Sequence, residues 1–165
     1  MKIAKTNACR FLDKSKIKYS MLTYEVTDKE FIGHGNIHLT EEDPKELYKT
    51  LIAVGKSQDH YVFVLPYLGN IDLKKAAAAV GEKNMELIHQ KDLFPLTGYV
   101  RGGCSPLALK KKFVTVFDKS VLNQPFVIFS GGRVGLSLKI KTSDLDKLDI
   151  IIKDIILGDV VDENR

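Results

Sequence analysis

Two apolar segments separated by a short polar turn constrain the fold of this 165-residue chain more than any other feature. Residues 49–54 and 60–65 are rich in Val, Leu, Ile, Ala and Phe, whereas residues 55–59 between them are Gly, Lys, Ser, Gln and Asp. Apolar runs of strand length on both sides of such a turn are typical of an antiparallel hairpin. Both runs are apolar enough to be covered on two sides, so we expect the hairpin in the core.

One helix is marked by signals at both of its ends. Residues 72–80 begin with Asp72, a good N-cap, continue with the strong helix formers Lys and Ala, and are followed by the helix terminator Gly81. Apolar periodicity predicts two further helices, at residues 2–16 and 143–156.

The remaining predicted elements are short. Thr40 is followed by acidic residues and Pro44, a combination typical of a short helix. Strands are predicted at residues 19–24, 85–88, 114–117, 126–129 and 136–140. Because several strands follow one another directly, the chain fits a mixed α+β domain better than a repeating βαβ sheet.

Length and composition narrow the class of protein. The chain has the size of one compact domain, which we place at residues 1–157, with an acidic tail at residues 158–165. Its two cysteines, Cys9 and Cys104, are far apart, which favours a reducing cytoplasm over a secreted disulfide framework. No segment has the apolar length of a signal peptide or a membrane span, so we expect a soluble, cytoplasmic protein.

The charge balance is mildly basic. The chain has 25 Lys and Arg residues against 21 Asp and Glu residues, a formal net charge of +4. Dedicated nucleic-acid binders concentrate more Lys and Arg on one face. The composition therefore permits an RNA substrate without requiring one.

A glycine pair followed by a helix-start signal carries the most chemical information. Ser105 and Pro106 are a good N-cap and a first helical residue, so a helix is predicted to begin there. The amide groups of Gly102, Gly103 and Cys104 can then approach a ligand oxygen at the positive end of that helix. Such a site suits a phosphate, a carboxylate or a developing oxyanion. A plain turn is the alternative that the spacing leaves open.

Two other positions indicate the same kind of site. Ser130 and Gly131 open a tight turn that ends in Arg133, and this turn can bring a hydroxyl, amide groups and a guanidinium together. Lys49 begins an apolar strand, so its stem is predicted to be buried while its ammonium faces a cleft and an anionic group. A plain hairpin turn and a solvated surface lysine are the alternatives.

Two further candidates are weaker. His34 and His38 have the i, i+4 spacing of a metal pair, but neither a helix signature nor a third ligand accompanies them. A helix N-terminus would lower the thiol pKa of Cys104. Without a histidine partner nearby in sequence, Cys104 is interpreted as a small loop residue and not as a nucleophile. We predict neither a metal nor a cofactor.

Taken together, these segments resemble the YbaK/EbsC family. The resemblance rests on Tyr24, residues 48–51 (YKTL), 72–77 (DLKKAA), 97–99 (TGY), 102–107 (GGCSPL) and 130–132 (SGG). None of these motifs is specific alone. Their shared order over nearly the whole chain, residues 3–156, carries the resemblance.

The resemblance implies a fold, an activity and partners. The family's fold is a mixed, barrel-like β-sheet flanked by helices, shared with the editing domain inserted in bacterial prolyl-tRNA synthetases. Its activity is deacylation of mischarged tRNA in trans, and its best-known branch removes cysteine from tRNA(Pro), with tRNA(Cys) as a further acceptor. We expect the partners to be the mischarged tRNA 3′ end and a prolyl-tRNA synthetase–tRNA complex, which adds the affinity that the weak charge does not supply.

The resemblance also implies roles for individual residues. Lys49 matches the family's functional lysine, which we expect to hold the 3′-terminal nucleotide. Gly102 and Gly103 match the backbone wall around the scissile ester, where we expect their amides to stabilise the oxyanion. The implied substrate-binding positions are Tyr24, Phe31, Cys104, Ser105, Ser130, Gly131 and Ser137.

Departures from the family pattern leave the amino acid undetermined. Arg101, Cys104 and the pair Ala108-Leu109 differ from common motif residues, and Ser137 stands where some relatives have an acidic side chain. For a cysteinyl substrate the family is associated with attack by the substrate's own thiol, which releases a cyclic thiolactone. Two alternatives remain open: deacylation of alanyl-tRNA(Pro), and a non-catalytic module that binds tRNA or a synthetase.

Overall fold

The computed structural model describes residues 3–24 and 42–158, which form two β-sheets with short helices around them. The first sheet contains, in spatial order, β1 (Tyr19–Thr23), β7 (Leu136–Lys141) and β6 (Phe126–Ser130). The second contains β4 (Met85–Leu87), β2 (Tyr48–Gly55), β3 (His60–Pro66), β5 (Val114–Asp118) and β8 (Ile151–Lys153). All strands predicted from the sequence are therefore confirmed, and β8 is additional.

The predicted core hairpin is confirmed. β2 and β3 pair antiparallel, from Tyr48 opposite Pro66 to Val54 opposite His60. Four consecutive residues of β3, numbers 62–65, are completely buried. Because β3 is covered on both faces, its sequence is a continuous apolar run without the alternation of a half-exposed strand.

A backbone bridge joins the two sheets. Leu47, just before β2, forms a parallel bridge with Ile128 of β6. The main hydrophobic core includes residues of both sheets and of α1 (Asn7–Lys14), and the rings of Phe117 and Phe129 meet edge to face in it, with centroids 6.3 Å apart. The mixed α+β class is confirmed. The described strands form two open sheets, so closure into a barrel stays a prediction.

The helix predicted at residues 72–80 is confirmed as α2 (Leu73–Val80). Asp72 accepts hydrogen bonds at Oδ1 from the backbone N–H groups of Lys74 (3.0 Å) and Lys75 (3.1 Å). Gly81 ends the helix with φ +76°, a conformation that glycine adopts without steric cost. None of the helices in residues 3–24 and 42–158 combines the length and apolar content needed to span a bilayer.

Two other helices differ from their predicted bounds. α1 begins later than predicted because Thr6 is its N-cap and accepts a hydrogen bond at Oγ1 from the Cys9 N–H (3.3 Å). The short helix expected near Thr40 is a 3-10 segment at Pro44–Glu46, capped by Asp43. Thr40 itself lies outside the described residues, as does the acidic tail beyond Gly158.

The helix predicted at residues 143–156 is wrong. Thr142–Lys147 form a 3-10 segment, and β8 follows it and pairs parallel with β5. The apolar periodicity is real because Leu145 and Leu148 are both buried, but a 3-10 turn followed by an extended chain also buries residues at this spacing. Pairing with β5 provides backbone hydrogen bonds that local periodicity does not reveal.

Asp118 fixes this C-terminal segment. Its carboxylate, almost completely buried, accepts hydrogen bonds from the backbone N–H groups of Ile155 (2.9 Å) and Ser120 (3.0 Å). The end of β5 is thereby connected to the chain that follows β8.

We expect Asp118→Ala to lower the free energy of unfolding by about 3 kcal/mol, because two amide groups lose a charged acceptor. Urea denaturation followed by circular dichroism measures the change. Asp118→Asn keeps one carbonyl acceptor, so its free energy of unfolding should fall by less than that of the alanine variant. Equal stability of the alanine variant and the unchanged protein would contradict this role of Asp118.

Candidate functional site

The strand register places three predicted site residues in one row. Ser130 of β6 lies directly opposite Ser137 of β7. On the other side of β6, Leu47 forms an isolated parallel bridge with Ile128. Lys49 and Ser130 each follow this bridge by two residues, so their side chains have the same facing as the bridged pair. Side chains that lie opposite each other on neighbouring strands point to the same face of a sheet. The fold thus brings Lys49, Ser130 and Ser137 to one face.

This row lies on the face away from the main core. The residues that alternate with it, among them Phe129, Leu136 and Leu138, are buried in the core that also contains α1. The row therefore lies outside this core; Lys49 and Ser130 are partly exposed on its face, whereas Ser137 is buried.

Two tyrosines follow strands near this face. Tyr24 follows β1 and donates its N–H to the carbonyl oxygen of Gly135 (3.0 Å). Tyr67 follows β3 and donates its N–H to the carbonyl oxygen of Leu47 (2.8 Å). The pKa of the Tyr67 phenol is raised, first by burial and then by its electrostatic interaction with Tyr24. Tyr67 was not among the predicted site residues, because one tyrosine after a strand carries no signal of its own.

Lys49 has the environment expected of an anion-binding lysine. Its side chain is half-buried, and burial lowers the pKa of its ammonium. No salt bridge in residues 3–24 and 42–158 involves Lys49. Burial of a charge without a counter-charge costs free energy, and an anionic ligand at this position would recover part of that cost.

The helix predicted to begin at Ser105 is wrong. Ser105 accepts a hydrogen bond at Oγ from the Leu107 N–H (3.2 Å), but the chain continues as an irregular loop. The Tyr99 hydroxyl donates to the carbonyl oxygens of Leu107 and Ala108, and these tertiary contacts hold the chain away from a helix. Ala108 has φ +54°, in the left-handed region. The positive end of a helix beginning at Ser105, which was predicted to act on the glycine pair, is therefore not formed.

The glycine pair itself forms a tight turn. Gly103 donates its N–H to the carbonyl oxygen of Val100 (2.9 Å), and Gly102 has φ +83°, as a type II turn requires. The Gly103 amide is thus already used within the turn. The exposed Gly102 makes no hydrogen bond through its N–H within the described part of the chain. Of the two amides expected to face a ligand, the Gly102 amide is the one that is available.

Gly103 allows this turn to touch the β6–β7 turn. A Cβ atom on Gly103 would lie 3.0 Å from the backbone of Arg133 and Val134, which is too close for an ordinary contact. Glycine at this position therefore permits the two backbones to pack together. The β6–β7 turn is held in place from the other side because Thr6 donates through Oγ1 to the carbonyl oxygen of Gly131. The glycine turn thus reaches the end of the β6–β7 hairpin, next to Ser130.

Two predicted substrate-binding residues lie in the core. Cys104 and Ser105 are buried behind the glycine turn and do not belong to the row. Burial raises the pKa of the Cys104 thiol to about 12, so the thiol stays protonated at neutral pH. This agrees with the interpretation of Cys104 as a small loop residue. Phe31, His34 and His38 lie outside the described residues.

Comparisons with known proteins match this chain over most of its length. Residues 38–148, which include Lys49 and both turns, match the family described as aminoacyl-tRNA editing domain. A protein of Enterococcus faecalis named "Putative Cys-tRNA(Pro)/Cys-tRNA(Cys) deacylase EbsC" is 33% identical over 136 residues, 82% of this chain and 83% of its own.

Solved structures share the fold. A structure entitled "Crystal structure of a putative trans-editing enzyme for prolyl tRNA synthetase" superimposes with a TM-score of 0.75 at 20% identity, over 94% of this chain and 100% of its own. A hypothetical protein superimposes with a TM-score of 0.79 at 21% identity, over 90% of this chain and 97% of its own.

The positive φ of Ala108 leads to a stability prediction. Alanine is strained in the left-handed region, so Ala108→Gly should raise the free energy of unfolding by about 1 kcal/mol. The matched control is Ala78→Gly, at an exposed position within α2, which should lower it by about 1 kcal/mol. Urea denaturation of both variants measures the difference. A loss of stability in both would show that Ala108 is not strained.

Proposed function

The chain belongs to the aminoacyl-tRNA editing domain family, and from this membership we propose that it is a trans-editing deacylase that removes mischarged cysteine from tRNA(Pro). Cysteinyl-tRNA(Cys) is the second substrate that we propose. The relative that is 33% identical carries both substrates in its name, which supports the cysteinyl assignment.

The observation that carries this proposal is Lys49, half-buried and without a salt bridge in the described residues, in a row with Ser130 and Ser137. We propose that the ammonium holds a phosphate of the 3′-terminal nucleotide. The two serine hydroxyls are hydrogen-bonding groups for the ribose or for the aminoacyl ester. We place Tyr24, which follows β1, and Tyr67, which lies beside Leu47, at the borders of the site.

The glycine turn completes the proposed site. An aminoacyl ester is already activated, so positioning and polarisation of its carbonyl group supply most of the rate acceleration. We assign the polarising donor to the N–H of Gly102, because the N–H of Gly103 is used by Val100. The protonated, buried Cys104 takes no part as a nucleophile.

The proposed reaction uses the substrate's own sulfur. The cysteinyl thiol loses its proton, and its sulfur attacks the ester carbonyl carbon to form a carbon–sulfur bond. The bond between that carbon and the ribose oxygen then breaks, and the ribose oxygen takes up a proton. The products are a cyclic thiolactone and free tRNA, so no water is consumed and no side-chain nucleophile is needed.

A synthetase complex is the proposed source of tRNA affinity. The net charge of +4 is small compared with dedicated nucleic-acid binders. Binding to prolyl-tRNA synthetase loaded with tRNA would raise the effective concentration of the 3′ end at the site. The trans-editing title of one structural neighbour supports this partner.

We expect Lys49→Met to lower the deacylation rate of cysteinyl-tRNA(Pro) by about 100-fold, because the terminal nucleotide is no longer positioned. The stability should be unchanged or higher, because burial of the ammonium is unfavourable in the free protein. Lys56→Met, on the exposed turn at the other end of β2, is the matched control. If Lys49→Met deacylates the substrate as fast as the unchanged protein, Lys49 is not part of the site.

A panel of substrates tests the chemistry. We expect rapid release from cysteinyl-tRNA(Pro) and at least about 100-fold slower release from S-methylcysteinyl-tRNA(Pro), because the methylated sulfur cannot close the thiolactone. Release of labelled amino acid measures both rates, with alanyl-tRNA(Pro) alongside. Preference for alanine would favour attack by water and the alanyl branch. Release from none of the substrates would favour a binding module without catalytic activity.

A further inference from the structure

An exposed, positively charged surface lies next to the glycine turn. Its members are Lys91, Phe94, Arg101, Lys110 and Lys111, and we name it the α3 surface after the helix α3 (Leu93–Thr97) at its centre. Of these five residues, only Arg101 lies in the glycine turn of the site proposed above.

Hydrogen bonds hold the α3 surface together. Arg101 donates from Nη1 to Oε1 of Gln90 (2.8 Å), which connects the loop to the segment before α3. Lys110 donates its backbone N–H to the carbonyl oxygen of Thr97 (3.0 Å) and its Nζ to that of Pro95 (3.4 Å). Segments that lie up to twenty residues apart in sequence thus present their side chains from one ordered patch.

The Lys and Arg side chains of the α3 surface form no salt bridges in the described part of the chain, and Asp92 is the one acidic residue between Lys91 and Arg101. Within residues 3–24 and 42–158, no salt bridge joins Lys91, Arg101, Lys110 or Lys111 to a carboxylate. The next lysine, Lys112, differs because Asp149 pairs with it at 2.8 Å. Exposed cations without partners can neutralise an external polyanion without first breaking internal ion pairs.

An exposed aromatic residue of α3 lies between Lys91 and Arg101 in sequence. Phe94 has 61% of its surface exposed, although a phenylalanine of a folded domain is ordinarily buried. An exposed ring among Lys and Arg side chains is the combination that binds single-stranded nucleic acid, because the bases stack on the ring while the cations contact phosphates.

The α3 surface continues into the glycine turn. Val100 starts that turn and is 51% exposed, Arg101 lies within it, and Gly103 packs against Arg133 and Val134 at the end of the β6–β7 hairpin. A nucleic-acid strand bound on the α3 surface would therefore extend toward the glycine turn of the proposed site.

We propose that the α3 surface binds the single-stranded 3′ end of tRNA, with a base stacked on Phe94 and phosphates on the Lys and Arg side chains. The proposal rests on the proposed function, since it names the surface that guides the substrate to that site. It also assigns single-stranded RNA, and not the duplex stem, to this surface.

Binding of RNA that carries no amino acid tests the surface without requiring catalysis. Two fluorescent hairpins with the tRNA(Pro) acceptor-stem sequence serve as probes, one with the single-stranded 3′ end and one blunt. We expect tighter binding of the hairpin with the 3′ end, and about tenfold weaker binding of that hairpin by Phe94→Ala. Leu122→Ala, which truncates an apolar residue with 63% exposure elsewhere, should bind like the unchanged protein.

Salt dependence tests the charges separately. Each phosphate contact to a single strand contributes about 0.7 to the slope of log affinity against log salt concentration, so Lys110→Ala/Lys111→Ala should reduce the slope by about 1.4. Lys56→Ala/Lys83→Ala is the control with two exposed lysines elsewhere.

The outcomes separate the two proposals. Equal binding of the two hairpins, no measurable binding by the unchanged protein, or control-like behaviour of the Phe94 and lysine variants would overturn the assignment of the α3 surface. If the Phe94 and lysine variants lose binding only to a complex of tRNA and synthetase, the surface contacts a protein partner. That result would also overturn the assignment of the α3 surface to RNA. If the RNA binds as expected while no substrate is deacylated, the proposed function fails and the binding surface stands.

Discussion

The parallel bridge between Leu47 and Ile128 determines how the two sheets are placed relative to each other. It positions β6 beside the beginning of β2, so the row that starts at Lys49 continues across β6 and β7. One face of this junction lies toward the main core, and the row lies on the other face. A shift of one residue at this bridge would turn Lys49 to the opposite face relative to Ser130.

The two turns at the end of this row depend on close backbone packing. Gly103 touches Arg133 and Val134 at a distance that excludes a Cβ atom, and Thr6 fixes the β6–β7 turn from the side of α1. The site is therefore supported by three parts of the chain that are far apart in sequence. The site has a free-energy cost at Lys49, because burial disfavours the charged ammonium that the proposed function requires.

Several elements could be predicted because their determinants are local. The β2–β3 hairpin follows from two apolar runs and a polar turn, and α2 follows from Asp72 and Gly81 at its ends. The helices predicted at Ser105 and at residues 143–156 are wrong because contacts from Tyr99 in one case and pairing with β5 in the other override local signals. Tyr67 was missed because its pairing with Leu47 is a contact between segments distant in sequence.

The sequence by itself determined the α+β class, most of the strands, and the residue types that resemble an editing site, because composition, periodicity and motif order are properties of the chain alone. Only the tertiary structure decided which of these residues meet. It brought Lys49, Ser130 and Ser137 into one row, moved Cys104 and Ser105 into the core, and left the amide of Gly102 and not that of Gly103 available. The reason is that strand register and hydrogen-bond partners are set between segments distant in sequence, where no local pattern specifies them.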